Sequence, residues 1–587
     1  MNTTPLDERG TALTAWINQT QEVLAHRSLN QQPFHRVFNL MRTRRLATVA
    51  LNRVLSNTGA RTAGIDGMTK KHIATDTEQQ ALVQEIWHDL TTHQYRPAPV
   101  RRVYIPKANG QQRPLGIPTI KDRVVQEMVR LILDPIYEST FYRHSYGFRP
   151  YRATHHAVVR LRDLIGRRGY QMALEGDIRA CFDRIHHTTL IRILRRTIKD
   201  ERLITVIHQM LKAGVMDDGQ WRVTEDGTPQ GGIVSPLLAN IYLNELDQWV
   251  ANRWDTYTPL ERYYHRKAGT GYPCQITRYA DDFVVLLHGT HAEATTLKTA
   301  LATFLADHLH LELSAEKTLI TPVEQGFDFL GFHIRKYQDS TRITPSRKAI
   351  ATFKREAADR IGKGFRDSDE AGIVMLNHYL TGWGHYYRRV SSSTTFRSLD
   401  HYIWWRVMRT TFRLRRGRGV RHFGTHCRSH RKRYRDGLNR KHAHRRGGHY
   451  GVWANTAQTR AYIVTSLAFL PIEYVALHPQ LHPYRKADRA KLDQRKRLAL
   501  LLARNSHPER PANPAYGKAW EQIRQEVLQM SNYTCQHCGT RVHRSTAEID
   551  HRIPLKRFTR RQTAHKLENL QCLCRACHLR KHGKEPR

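Results

Sequence analysis

Acidic residues are scarce in this 587-residue chain: 52 Asp and Glu stand against 95 Lys and Arg, a formal net charge of +43 with histidine neutral. Solubility needs far less, and such an excess calls for a polyanion, most simply nucleic acid held through its phosphates with release of counterions. Long apolar runs are missing too. A basic membrane-surface protein is the competing class, but no segment reaches the roughly 18 apolar residues of a spanning helix, so no membrane partner is expected. The opening MNTTPLDERGTALTAW lacks the basic and apolar pattern of a signal peptide, which leads us to expect a cytoplasmic, nucleic-acid-associated protein. Cysteine is sparse: three are scattered (Cys181, Cys274, Cys427) and five fall in the last 53 residues. That distribution argues against a disulfide framework and for something local at the C-terminal end.

The length allows several domains with sizeable cores. Residues 1–95 read as mainly helical, with a glycine-marked break at TAGIDGMT. From 96 to 340, strand-like runs (RRVYIPK, YQMALEGDI, ITRYADDFVVLL, FDFLGFHIR) alternate with helical ones such as KDRVVQEMVRLILDPIYE, which implies an α/β or α+β catalytic body. Helices with aromatic punctuation return from 345 to 480, and Tyr and Trp among basic residues suit base stacking. Residues 413–446 carry fourteen Lys or Arg against one acid, Asp436, too lopsided for a merely solvated face and read here as a nucleic-acid surface. Residues 486–514 begin as a charged helical stretch and end Pro/Asn-rich, a domain boundary.

Asp281 and Asp282 stand between two runs of β-formers, Ile276–Tyr279 and Phe283–Leu287. An ordinary solvated hairpin turn looks the same, since Asp favours turns. Adjacent carboxylates repel, however, and burying them requires water, a basic group or a cation. Asp177, ending the strand-like run in LEGDIRACFDRI, is a candidate third member across a sheet. Three such carboxylates suit two Mg²⁺ ions about 4 Å apart, one activating a 3′-hydroxyl and the other steadying a pyrophosphate leaving group.

YADD, together with DIRACFD, GTPQGGIVSPLLANIYLNELD and RVYIPKANGQQRPLGIPTIKDRVVQ, resembles the ordered motif series of reverse transcriptases. TAGIDG, SYGFRP, FDFLGF and LTGWGHYYR, in the same order, resemble the bacterial group II intron-encoded proteins over residues 35–480 and beyond. The resemblance implies Asp177, Asp281 and Asp282 as metal ligands. It also implies Phe182 as a steric gate against the ribose 2′-hydroxyl, and a plain core phenylalanine is the competing reading. Lys107 and Arg113 would grip the incoming triphosphate. Gln230 would lie near the nascent base pair, and Lys317 would serve the leaving pyrophosphate as proton donor or charge partner. Asp183 is assigned no part. Ala180 and Cys181 depart from the family pattern, where bulkier residues or glycine are expected. Residues 341–400 resemble the thumb and maturase helices, and 401–485 a basic maturase and DNA-binding region, whose task in that family is to bind intron RNA and help it splice.

Near the C-terminus two CxxC pairs, Cys535/Cys538 and Cys574/Cys577, lie 35 residues apart. Four thiolates in two such knuckles suit a tetrahedral structural Zn²⁺, with Cys572 left as a competing ligand. Around them AEIDHRIPL, LENLQCL and CHLRKH resemble an HNH endonuclease. The resemblance implies His551 as general base, with Asp550, Asn569 and His578 holding one catalytic Mg²⁺; a zinc module that only grips DNA is the alternative.

The expected fold is a multidomain α+β chain. It comprises an N-terminal helical extension running into the fingers (1–95), a right-hand polymerase of fingers and palm (96–340), thumb/maturase helices (341–400), the basic region (401–485), a linker (486–514) and a small zinc-stabilised ββα-metal HNH domain (515–587). The expected function is an RNA-directed DNA polymerase, maturase and DNA endonuclease working as a ribonucleoprotein with intron RNA, on target DNA and deoxynucleoside triphosphates. A host-encoded reverse transcriptase in defence or retron-like chemistry is one alternative, and a non-catalytic splicing cofactor is another.

Overall fold

The computed structural model describes residues 6–106, 110, 112–217, 220–222, 227, 231–269, 271–338, 340–414, 451–453, 461–470, 481–494, 520–542, 547–552, 567–574, 577, 578 and 581. The chain is a mixed α+β protein dividing into two compact units, one of residues 1–343 joined by 475–489, the other of 344–474 and 490–587.

In the first unit, helices Leu6–Leu29, Arg44–Ser56 and Asp76–Thr91 precede the sheets. The third begins at a reciprocal cap: the Glu78 N–H donates to Thr75 Oγ1 and the Thr75 N–H to Glu78 Oε2 at 2.8 Å, satisfying two otherwise orphaned donors. Helix Ile120–Glu138, started by Thr119, is buried except at Lys121 and Arg130, so Asp122, Arg123, Glu127, Asp134 and Glu138 are all buried. Those charges persist because they are paired or hydrogen-bonded, Arg123 to the carbonyls of Pro118, Gly59 and Thr62. Arg130 lies 2.6 Å from Glu127 and 3.0 Å from Asp134, and Tyr484 Oη donates to Asp134 at 2.8 Å. Burial still pushes the Asp134 carboxyl up to about 6, against the pull of Arg130.

The strands follow in chain order. β1 (Val100–Pro106) and β2 (Gln112–Ile117) form a hairpin with Arg101 opposite Ile117 and Pro106 opposite Gln112. β3 (Met172–Gly176) comes next, and β4 (Val215–Asp217) and β5 (Gln220–Arg222) complete a first sheet of order β2-β1-β4-β5. β6 (Cys274–Tyr279), β7 (Asp282–Leu287) and β8 (Leu319–Pro322) join β3 in an antiparallel sheet of order β6-β7-β3-β8. β9 (Phe327–Phe329), β10 (Phe332–Lys336) and β11 (Thr341–Pro345) form a third. Phe283 to Leu287 are all buried in β7, so this central strand is covered on both faces and reads as a continuous apolar run.

In the second unit, helices Arg347–Asp367, Asp369–Tyr387 and Ser393–Leu414 form one group. Ser368 Oγ accepts the Ala371 N–H at 3.0 Å to start the second helix. The aromatic punctuation noted in the sequence largely packs inward. Trp383 lies 4.6 Å from Phe353 and 4.3 Å from Tyr387, centroid to centroid, and Phe353, Tyr387 and Phe396 are buried. Trp405, by contrast, is 48% exposed. The helical reading of 345–480 also needs correction: β12 (Gly451–Trp453) and β13 (Ala461–Ile463) form an antiparallel hairpin, in keeping with their β-branched and aromatic residues. Apart from Arg413 and Leu414 the basic run 413–446 lies outside the described residues, as does the linker beyond residue 494.

The C-terminal domain packs helix Trp520–Met530 with β14 (Ala547–His551) and β15 (Leu570–Cys574). Ile523, Val527 and Leu528 meet Leu570, Cys572 and Leu573 in its core. Among the described residues no helix is long and apolar enough to cross a membrane.

Candidate active sites

The β6–β7 hairpin turns on two residues, Ala280 and Asp281, because Tyr279 is paired with Asp282. The two acids are therefore not equivalent: Asp281 is in the turn and Asp282 opens β7. Ala280 has φ 59°, in the left-handed region where a non-glycine residue is strained. On the other side of β7, Gly176 is paired with Phe283, so Asp177 leaves β3 beside the head of β7. A Cβ on Gly176 would come within 2.1 Å of the Phe283 ring, which explains the glycine before Asp177.

The three carboxylates feel one another. Desolvation by the surrounding protein, then the charges of Asp281 and Asp177, push the Asp282 carboxyl up to about 6, although its side chain still reaches solvent. Asp281 is raised too, first by burial and then by Asp177, while Arg113 and Arg278 pull it down. Lys317 Nζ lies 2.8 Å from Asp177 Oδ2, and that hydrogen bond raises the lysine's pKa. Carboxylates that repel in this way have the donor chemistry of a divalent-cation site. Among the described residues, the group of acids, histidines and cysteines whose ligand atoms lie within 4.8 Å of one another is a set of four cysteines.

The structure brings Arg113, on β2, close enough to act on Asp281. Lys107 and Gln230 lie outside the described residues. Phe182 sits in the one-turn helix Cys181–Arg184, half-buried. Its ring meets that of Phe148 edge to face at 6.3 Å and 82°. Phe148 is 57% exposed, while Phe182 packs against the core of the first unit. Ala180, before that helix, has φ 48°, which accounts for the glycine expected there. Sequence reasoning gave no role to the 144–147 backbone. The Tyr146 N–H donates to the Arg278 carbonyl at 2.8 Å and the Arg278 N–H to the His144 carbonyl at 3.1 Å, so SYGFRP is an added edge to the carboxylate hairpin. Its signal was the glycine at 147.

In the C-terminal domain, the four sulfurs of Cys535, Cys538, Cys574 and Cys577 lie within 4.8 Å of one another, with Cys538 Sγ 3.7 Å from Cys574 Sγ. A hydrogen bond with Thr540 is the first cause lowering the Cys538 thiol to about 6, favouring the ligating thiolate. Cys572 is outside this set: it is fully buried among apolar side chains, and burial raises its pKa. Asp550, on β14, and Asn569, ending the short helix Leu567–Asn569, are both buried. The register sets His551 opposite Leu570, next to Asn569, and the Arg552 N–H donates to the Asn569 carbonyl at 2.7 Å. The side chain of His551 lies outside what is described. His578 follows the last cysteine and is half-buried. A partner missed in the sequence is Lys581, whose Nζ is 2.6 Å from Asp550 Oδ2.

Comparison with known proteins agrees with this division. Residues 105–334 match the family "Reverse transcriptase (RNA-dependent DNA polymerase)", 353–435 match "Group II intron, maturase-specific domain" and 535–584 match "HNH endonuclease". Protein YkfC of Escherichia coli is 38% identical over 48% of this chain and 77% of its own length. The group II intron-encoded protein LtrA of Lactococcus lactis is 36% identical over 55% of this chain. The chain spans 61% of LtrA's length. An uncharacterized 91 kDa protein in the cob intron of Schizosaccharomyces pombe is 32% identical over 56% of this chain and 45% of its own. The chain thus belongs to the family of group II intron-encoded proteins, with a reverse transcriptase, a maturase-specific and an HNH endonuclease domain in that order.

Proposed function

We propose that the chain copies intron RNA into DNA at a nicked target, assists splicing of that RNA and cuts target DNA, acting in the cytoplasm as a ribonucleoprotein. The observation that carries the polymerase reading is the convergence of Asp177, Asp281 and Asp282 at one end of β3 and the β6–β7 hairpin. These carboxylates would hold Mg²⁺, which when bound supplies Lewis-acid activation of the primer hydroxyl and neutralises the leaving pyrophosphate. The remaining work belongs to side chains. Lys317, kept protonated by Asp177, stands ready to give a proton or charge to the leaving group. The Phe182 ring excludes a 2′-hydroxyl from the sugar position. Arg113 supplies a cation beside Asp281 for the triphosphate. Lys107 and Gln230 complete the nucleotide site as the family resemblance implies.

For the nuclease, Asp550, Asn569 and His578 would hold one Mg²⁺ and His551 would take the proton from the attacking water. The four-cysteine set would hold Zn²⁺ as a structural ion. The division of labour follows 96–340 for the polymerase, 341–400 and 401–485 for the RNA and DNA surface, 486–514 for the linker and 515–587 for the nuclease.

Primer extension on an RNA template tests the polymerase reading. The Asp281→Ala, Asp282→Ala double variant should lose extension while still binding RNA; extension at the wild-type rate would show that this centre is misassigned.

A further inference from the structure

Beneath the carboxylate turn lies a charged group that the mechanism above does not use. Arg278, on β6, is 0% exposed, as is Asp247 of helix Ser235–Ala251. Its Nε donates to Asp247 Oδ1 at 2.8 Å and its Nη2 to Asp247 Oδ2 at 2.6 Å. Nη1 donates to Asn240 Oδ1 at 3.0 Å and to the carbonyl oxygen of Ala280 at 2.8 Å. Asn240 in turn donates through Nδ2 to the Gly147 carbonyl at 2.8 Å. One guanidinium therefore joins the helix and the turn, and Asn240 extends the network to the 144–147 loop.

A fully buried ion pair is poor evidence of a role in stability, because apolar replacement of both partners is often neutral. What exceeds the needs of an ion pair is the donor sent on to Ala280, the strained residue immediately before Asp281. Only the planar fork of arginine serves Asp247, Asn240 and Ala280 at once; an ammonium has its donors on a single nitrogen.

We propose that Arg278, seated on Asp247 and Asn240, is a positioning residue for DNA synthesis: it holds the Ala280 carbonyl and so fixes where the Asp281 carboxylate stands. The proposal rests on the reading of Asp281 as part of the polymerase centre.

Arg278→Lys keeps the charge and can keep the ion pair, and is compared with wild type and Asp281→Ala in full-length protein. The expected result is a folded protein, by circular dichroism and cooperative thermal unfolding, whose kcat for deoxynucleotide addition falls about tenfold or more while KM stays within about twofold. Binding of Mn²⁺ to the nucleotide-free protein, measured in an Asp550→Ala background to silence the nuclease site, should weaken about fivefold or more. A folded Arg278→Lys protein with wild-type kcat and Mn²⁺ affinity overturns the proposal. If Arg278→Lys does not fold, Asn240→Ala, which spares the ion pair, decides in the same way. Misfolding of both assigns the network to folding alone and also overturns it. If Asp281→Ala still extends primers, the polymerase reading itself has failed, whatever Arg278→Lys does.

Discussion

Gly147 lies so close to Ala280 that a Cβ on the glycine would stand 2.2 Å from the Ala280 nitrogen and 2.9 Å from the Tyr279 carbonyl carbon. Both obstructing atoms are backbone of the carboxylate hairpin, so neither can swing aside. Gly147→Ala should displace the turn bearing Asp281 and lower kcat for primer extension by about a hundredfold, the scale of a misplacement near 1 Å. Far-ultraviolet circular dichroism should be unchanged; steady-state kinetics on an RNA template provides the check.

The edge-to-face contact of Phe182 with Phe148 holds the Phe182 ring from one side. Phe182→Ala should raise ribonucleotide incorporation relative to deoxynucleotide by roughly tenfold to a hundredfold. Phe148→Leu should produce a smaller change in the same direction. Competition between the two nucleotide types on one template reads this ratio directly, and an unaltered ratio in Phe182→Ala would return that residue to the role of core filler.

The carboxyl of Asp282, raised to about 6, implies a pH dependence for the metal-free protein. Its folded pKa lies above the ordinary carboxylate value, so the folded state binds more protons than the unfolded one between the two. This group therefore favours the fold at low pH, and the contribution is lost as pH rises toward about 6. Divalent-cation affinity moves the other way: protonated Asp282 is a poor ligand, and binding should weaken by up to about tenfold per pH unit below that value. Calorimetric titration of Asp550→Ala protein with Mn²⁺ between pH 5 and 7.5, which is about the span needed, tests the slope.

At the four-cysteine set, Cys538→Ser should reduce bound zinc from one ion per chain toward none and abolish DNA cutting, with primer extension retained. Cys572→Ser should keep the zinc and instead cost about 1–3 kcal/mol of stability in the nuclease domain, since it places a hydroxyl in an apolar core. Elemental analysis of the purified variants, with thermal unfolding, separates the two cysteines.

Much of the site was legible because its residues are close in sequence to the feature that exposes them. Asp281 and Asp282 interrupt an apolar run, and the CxxC spacing reports a metal knuckle without any knowledge of the fold. The less visible parts depend on pairings between distant segments. That Asp282 belongs to β7 while Asp281 belongs to the turn follows from the pairing of Tyr279 with Asp282, which an alternating pattern cannot show when both faces are buried. Tyr484 reaches back 350 residues to Asp134, and Lys581 reaches Asp550 across 31; neither lysine nor tyrosine announces such a partner. The burial of Arg278 was equally hidden, because the Asp247 and Asn240 side chains that make it tolerable stand on a helix, 31 and 38 residues earlier.

The central claim is that this chain acts on one particular RNA, and it is tested most directly by isolating the protein from its own cells at moderate salt and sequencing the RNA that stays bound. The account predicts a single folded intron whose sequence encloses this reading frame. A mixture of unrelated RNAs, released together as the salt is raised, would contradict it.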